Sequence, residues 1–335
     1  TPSHGAAEPW TETARLTKCE ASYYFGWKVA AGDDFVAVSG WRNVFIYDHN
    51  PGEHAGWRLV TRLSNEVDDS NYGGSLSVDG DEIAVGAWGV RSRRIRTGAA
   101  YLYDRNHGGT DNWGLVNRVV PGDGSDGDQF GYSVSLRGDL LAVAAPGYGG
   151  DEDRSGAVYV YERVGDGAGE WVERQRLAPL ERLEDERFGE SVAVSREQVI
   201  VGAKQVNDEG LIWVYVFERN NRPNQPWQQV TRIVPPGEPT TESYGTDAPS
   251  LSVSDDLMAI GANSTVADGA NTTGAVYLYD RSQSRTGAWN YTTTLRPREG
   301  HMDFGWSVSV HGDSVAVGGT RAYLFARSHT QNDAW

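Results

Sequence analysis

The sequence has a single cysteine, Cys19, which excludes an intramolecular disulfide framework and any site built on several thiolates. No apolar run approaches the ~20 residues that a membrane-crossing helix needs, so no direct membrane insertion is expected. Basic side chains are in the minority, 30 Lys and Arg against 46 Asp and Glu. The resulting net charge of −16 presents the wrong field to phosphates and excludes nucleic acid and anionic membrane surfaces as partners. Catalytic signatures are also missing. No Gly-x-Ser-x-Gly, His-Glu-x-x-His, Walker loop or dinucleotide fingerprint stands in a strand-turn-helix setting.

What is present is short strands in a repeating order. An aromatic-Gly pair recurs at Phe25-Gly26, Tyr72-Gly73, Phe130-Gly131, Phe188-Gly189, Tyr244-Gly245 and Phe304-Gly305. A small-residue slot follows at Ser39-Gly40, Gly86-Ala87, Ala144-Ala145, Gly202-Ala203, Gly261-Ala262 and Gly318-Gly319, 14 positions later in five units and 17 in the other. A β-branched and aromatic run comes third, for example Tyr159-Val160-Tyr161, and a run opening on tryptophan comes fourth, at Trp57, Trp113, Trp171, Trp227 and Trp289. Each run is too short for a helix, and four strands per unit is the arithmetic of a propeller blade. The whole of 1–335 therefore reads as one all-β domain.

These motifs resemble the FG-GAP repeat, the unit of the integrin α-subunit head, and the resemblance covers almost the whole chain. It implies a six-bladed β-propeller of four-stranded antiparallel blades, with the Phe-Gly strand innermost and the Trp strand outermost. The sixth unit supplies three strands, whereas Trp10 to Leu16 is a Trp strand with no unit before it. That N-terminal strand is expected to close the last blade and so remove an exposed sheet edge; a seventh blade starting at Trp335 is the alternative. The resemblance also implies an extracellular or cell-surface recognition module, as a processed chain or excised domain.

One departure matters for calcium. Integrin heads carry their calcium loops between the Phe-Gly and Gly-Ala strands, but here those connections are tight hairpins such as Asp79-Gly80-Asp81, so the family's sites do not carry over. Arg137-Gly138-Asp139 spells an adhesion tripeptide, yet it fills the same slot and reads as turn chemistry. Acidic residues instead crowd the loops of the opposite face. Asp123, Asp126 and Asp128, with Asp151 and Asp153, form the candidate Ca²⁺ set, since that ion takes six to eight hard oxygens. The alternative is a solvated acidic rim.

The ligand candidates lie on that same face. Arg91, Arg93, Arg94 and Arg96 share one loop and suit a carboxylate, a sulfate or an acidic partner. The first and sixth units have the shortest loops between second and third strands, which predicts a notch where they meet. Trp41 and Trp88 are candidates to stack on a sugar there, whereas Trp27 and Trp306 are expected to be consumed in packing between blades. Asn263, Asn271 and Asn290 open glycosylation triplets. The expected function is binding of an extracellular protein or glycan. A polysaccharide lyase or hydrolase is the alternative, with His301 beside Asp303 and Glu299 as the place for acid-base chemistry.

Overall fold

The computed structural model describes residues 16, 24–40, 42–49, 56–64, 71–91, 95–149, 154–165, 169–182, 185–204, 212–219, 225–236, 249–263, 266–267, 271–272, 274–282, 284, 287–297 and 303–327. All regular structure among them is β. Blade 1 comprises β1 (Val29–Ala31), β2 (Phe35–Gly40), β3 (Asn43–His49) and β4 (Trp57–Ser64), and blade 2 comprises β5 (Tyr72–Asp79), β6 (Glu82–Ala87), β7 (Ala99–Asp104) and β8 (Gly114–Val119). Blade 3 is β9 (Val134–Arg137), β10 (Leu140–Ala145), β11 (Ala157–Val164) and β12 (Glu170–Leu177); blade 4 is β13 (Ser191–Val194), β14 (Gln198–Lys204), β15 (Ile212–Arg219) and β16 (Trp227–Ile233). In blade 5, β17 (Ser250–Val253) and β18 (Leu257–Ala262) precede a two-stranded excursion of β19 (Val266–Ala267) and β20 (Asn271–Thr272), after which β21 (Ala275–Asp280) and β22 (Asn290–Leu295) complete the sheet. Blade 6 shows β23 (Ser307–His311), β24 (Ser314–Gly318) and β25 (Tyr323–Ala326). This is the expected six-bladed propeller.

The aromatic-Gly pair is a turn before it is a strand. The residue preceding the aromatic is left-handed in every described copy, at Tyr24, Asn71, Gln129, Arg187 and Asp303, with φ between 47° and 63°. The glycine following it has φ between 83° and 100°, a region that favours a residue with no Cβ. An N–H to C=O bond closes the turn around them, as from Tyr132 to Gln129 at 3.0 Å. This chain reversal carries the strand-4 exit of one blade into the innermost strand of the next.

Cores form between blades. Leu177 at the end of blade 3 packs with Phe188, Val192 and Tyr215 of blade 4, and Leu295 of blade 5 packs with Phe304 and Val315 of blade 6. Leu16 fills the same slot against Phe25, Phe45 and Tyr47 of blade 1. It lies nine residues before its aromatic-Gly pair, as Leu63 and Leu295 do before theirs. That contact places the end of the N-terminal strand where the outer strand of blade 6 ends, in keeping with closure there; residues 10–15 themselves lie outside the described residues.

Polar ties supplement the cores. At the inner edge, serines of one blade accept N–H groups from the next: Ser77 from Leu136, Ser133 from Val192, Ser135 from Val194 and Ser252 from Val310, at 2.9 to 3.1 Å. Further out, the arginine that ends the third strand spans to the preceding blade, Arg163 to Glu82, Arg219 to Glu162 and Arg327 to Asp280. Arg105 does the same with Asp34 and Asp48. Arg281 turns onto its own hairpin at Asp256, and there the Trp289 indole donates across the junction to Gln198 at 3.0 Å. Arg137 and Asp139 of the adhesion-like tripeptide are engaged with Asp255 and Arg163, as turn chemistry predicts.

Candidate functional site

The residue after each aromatic-Gly pair opens an innermost strand, at the mouth of the central channel. Taken around the ring from blade 6, these positions hold Trp306, Trp27, Gly74, Tyr132 and Glu190, with Thr246 of blade 5 outside the described residues. Gly74 makes room for an indole from its own blade, since a Cβ there would lie 3.1 Å from the Trp88 ring. Trp88 in turn reaches Tyr132 of blade 3, ring centroids 6.2 Å apart. Tyr24 sits edge-on to Trp27 at 5.8 Å. Three of the five described positions are thus aromatic, and with Trp88 over Gly74 they form an arc.

The other side is charged. Glu190 is buried, accepts from Tyr132 and pairs with Arg187 of its own turn. Burial raises its pKa despite those partners and Lys204 nearby.

Trp27 and Trp306 depart from expectation. Packing between blades was the expected fate of both, but they are 61% and 52% exposed. The reason is what surrounds them. Tyr132 is half-covered by Trp88 and Glu190, whereas the connections beside Trp27 and Trp306 are the short ones: β3 begins at Asn43 after β2 ends at Gly40, and β25 begins at Tyr323 after β24 ends at Gly318. The corresponding connections of blades 2 and 3 run from Ala87 to Ala99 and from Ala145 to Ala157. The notch is present. It is also deep along the strand, since Val29 is 60% exposed while its counterpart Val134 is buried, and Phe25 is only partly buried where Phe130, Phe188 and Phe304 are wholly so.

Of the other candidates, Trp88 is half-buried in the arc, and Trp41, Arg93, Arg94, Asp151, Asp153, His301 and Glu299 lie outside the described residues. Arg91 and Arg96 are exposed on the loop between β6 and β7, and the Arg96 N–H donates to Asp126 at 2.6 Å, tying the basic loop to the neighbouring acidic one. The acidic trio is divided among partners. Asp123 accepts from Tyr159 at 2.7 Å and pairs with Arg176, which lies over the Tyr148 ring; Asp128 is buried and accepts from the Ser125 N–H at 2.6 Å. Burial raises the Asp128 pKa. Among the described residues no three His, Cys, Asp or Glu side chains converge as a cation chelate, so a calcium site at this loop requires Asp151 and Asp153. Asn263 is buried at 4% exposure, which excludes a glycan there in the folded chain, while Asn290 is exposed.

Sequence reasoning missed the arginine ties and one glycine position. Gly98, Gly156 and Gly274 each form a parallel bridge to the aromatic of the next blade, at Phe130, Phe188 and Phe304. The signal was there, as Thr97-Gly98-Ala99, Ser155-Gly156-Ala157 and Thr273-Gly274-Ala275 before the third strands.

Two stretches, 113–161 and 171–217, match the FG-GAP repeat family. No curated protein sequence matches the chain. Among solved structures, Hsv2 of Kluyveromyces lactis is similar at 12% identity, over 84% of this chain and 76% of that one, with a TM-score of 0.48. Sqt1 of Chaetomium thermophilum is similar at 16% identity, over 79% and 60% of the two chains, with a TM-score of 0.46.

Proposed function

Because the chain carries FG-GAP repeats on a six-bladed propeller, we propose that it is an extracellular recognition module holding a glycan or a protein segment at the channel mouth, over the notch of blades 6 and 1. The observation that supports this reading is the exposure of Trp27, Trp306 and Tyr24 on ordered strand starts. Three large aromatic faces held in water at neighbouring repeat positions leave apolar area uncovered, which monomeric proteins do mainly at interaction sites. Each face suits a pyranose ring, one side of which is a row of C–H groups, and the rims supply hydrogen bonds.

The test is a glycan array probed with the parent chain and with Trp27→Ala and Trp306→Ala, each with and without EDTA. Both variants should lose most of the parent's signal while keeping its melting temperature. Equal binding by all three would leave the arc without a role. Loss with EDTA would bring a cation at the acidic loops into the recognition, and release of new reducing ends or unsaturated uronates would replace binding with turnover.

A further inference from the structure

The chain has 27 arginines and three lysines, Lys18, Lys28 and Lys204. Lys28 follows Trp27 in a position where every other blade has serine: Ser75, Ser133, Ser191, Ser250 and Ser307. Backbone pairing fixes the equivalence. Lys28 exchanges bonds with Ser39 as Ser133 accepts from Ala144 and as Ser75 and Ser250 pair with Gly86 and Gly261. In blades 2 and 5 the short hydroxyl serves the ring itself, Ser75 donating to the Gly131 carbonyl and Ser250 to that of Gly305. A lysine stem carries its ammonium well beyond that carbonyl, so the substitution gives up a structural tie.

Among the described residues nothing takes the charge. Lys28 has no ion-pair partner among the described residues, whereas ten arginines there pair with carboxylates. The residue is exposed to solvent, yet its ammonium is enclosed enough for burial to lower its pKa with no neighbouring charge contributing. Lys28 is exposed and directly follows the exposed Trp27 at the entry to innermost strand β1. Enclosure strengthens any ion pair formed there relative to one at the open surface.

We propose that Lys28 is the anion-recognising residue of the aromatic arc, its ammonium pairing with a carboxylate or sulfate ester on a sugar ring stacked against Trp27. This rests on the binding function proposed above and narrows the ligand to an acidic glycan.

The test uses Lys28→Ser, which installs the residue the other five blades already carry and so preserves the fold. Three tetrasaccharides are titrated by calorimetry: an oligouronate, a sulfated galactan fragment and a neutral cello-oligosaccharide. The parent should prefer at least one acidic probe, Lys28→Ser should weaken that probe about tenfold while leaving the neutral one unchanged, and Trp27→Ala should weaken both. The acidic probe that responds separates carboxylate from sulfate. Undiminished acidic binding by Lys28→Ser overturns the assignment. Trinitrobenzenesulfonate, an aromatic anion that modifies free amines, supplies a reading that needs no glycan. Lys28 should be modified several times faster than Lys204 by peptide mapping; a slower Lys28 refutes its role, whereas a fast Lys28 with no glycan bound by the parent refutes only the glycan reading.

Discussion

Replacing Gly156 with alanine tests how the blades are held. Gly156 has a φ of +80°, and a Cβ built on it would lie 2.1 Å from the carbonyl oxygen of Phe188 in the next blade. The obstacle is backbone, so no side chain can swing aside. Gly138 is the matched control, in the same blade with a φ of +56° and nothing within 4 Å of its Cβ position. Alanine at Gly138 carries only the left-handed penalty, about 1 to 2 kcal/mol. At Gly156 the same penalty is joined by an overpacking cost of about 1 to 3 kcal/mol, because Phe188 and the hydrogen bond from its N–H to Ser155 at 3.0 Å must shift together.

The expected total is therefore about 2 to 5 kcal/mol for Gly156→Ala. At about 2.1 cal/mol/K per residue, unfolding a chain of 335 residues carries about 0.7 kcal/mol/K, so the melting temperature should fall by roughly 3 to 7 °C for Gly156→Ala and roughly half that or less for Gly138→Ala. Scanning calorimetry with urea midpoints as a second measure reads the difference. Gly98→Ala and Gly274→Ala should behave like Gly156→Ala, since their Cβ positions fall 2.0 and 1.9 Å from the equivalent carbonyl oxygens. If Gly156→Ala is no worse than Gly138→Ala, the close approach of blades at this point does not limit stability and the reasoning fails.

Two further predictions concern charge. His49 occupies the repeat position of the spanning arginines and stacks on Trp57, and Ala326 occupies the position of their acidic partners, so His49→Arg with Ala326→Glu should install the missing tie between blades 6 and 1, with a coupling of about 0.5 to 1.5 kcal/mol in a double-mutant cycle; zero coupling would mean that the two positions do not meet. Burial raises the pKa values of Asp128, Glu173 and Glu190, so each binds its proton more tightly folded than unfolded, and stability should rise as pH falls from neutrality toward the ordinary carboxylate range. Asp280, held low by Ser282 and Arg327, adds stability that is lost only below its ordinary value of 3.8. Urea unfolding across that pH range should show the maximum on the acid side, with a shallower slope in Glu190→Gln; a steady decline from neutrality downward contradicts the assignment.

The fold was legible because its determinants repeat. Aromatic-Gly, Gly-Ala and Tyr-x-Tyr lie at fixed spacing since each blade must reverse the chain, approach its neighbour and fill the gap in the same way. The arginine ties repeat as well, in Asp104-Arg105, Glu162-Arg163, Glu218-Arg219 and Asp280-Arg281, but a charged dipeptide at a strand end also describes any solvated edge. Its partners lie a blade away, as Arg219 does from Glu162. Exposure of Trp27 and Trp306 was not legible for a related reason. The sequence shows that both occupy the position of Tyr132, and only the placement of Trp88 and Glu190 over Tyr132, with no such cover over the other two among the described residues, separates their fates.

Among the described residues, the junction that exposes the arc also lacks an arginine tie between its blades. Innermost strands touch along the ring from β1 to β5, β9, β13, β17 and β23. At the junction of blades 6 and 1 the arginine position holds His49 and the acid position Ala326. The pair gives up a tie that four of the other five junctions keep. A ring closed by its termini already concentrates opening at this point, so further weakening there costs less cooperativity than it would mid-chain. The short connections of the same two blades are what leave Trp27 and Trp306 uncovered. A ligand spanning both tryptophans would add, from outside, a contact between the two blades, and its binding free energy would add to the stability of the closed ring by mass action.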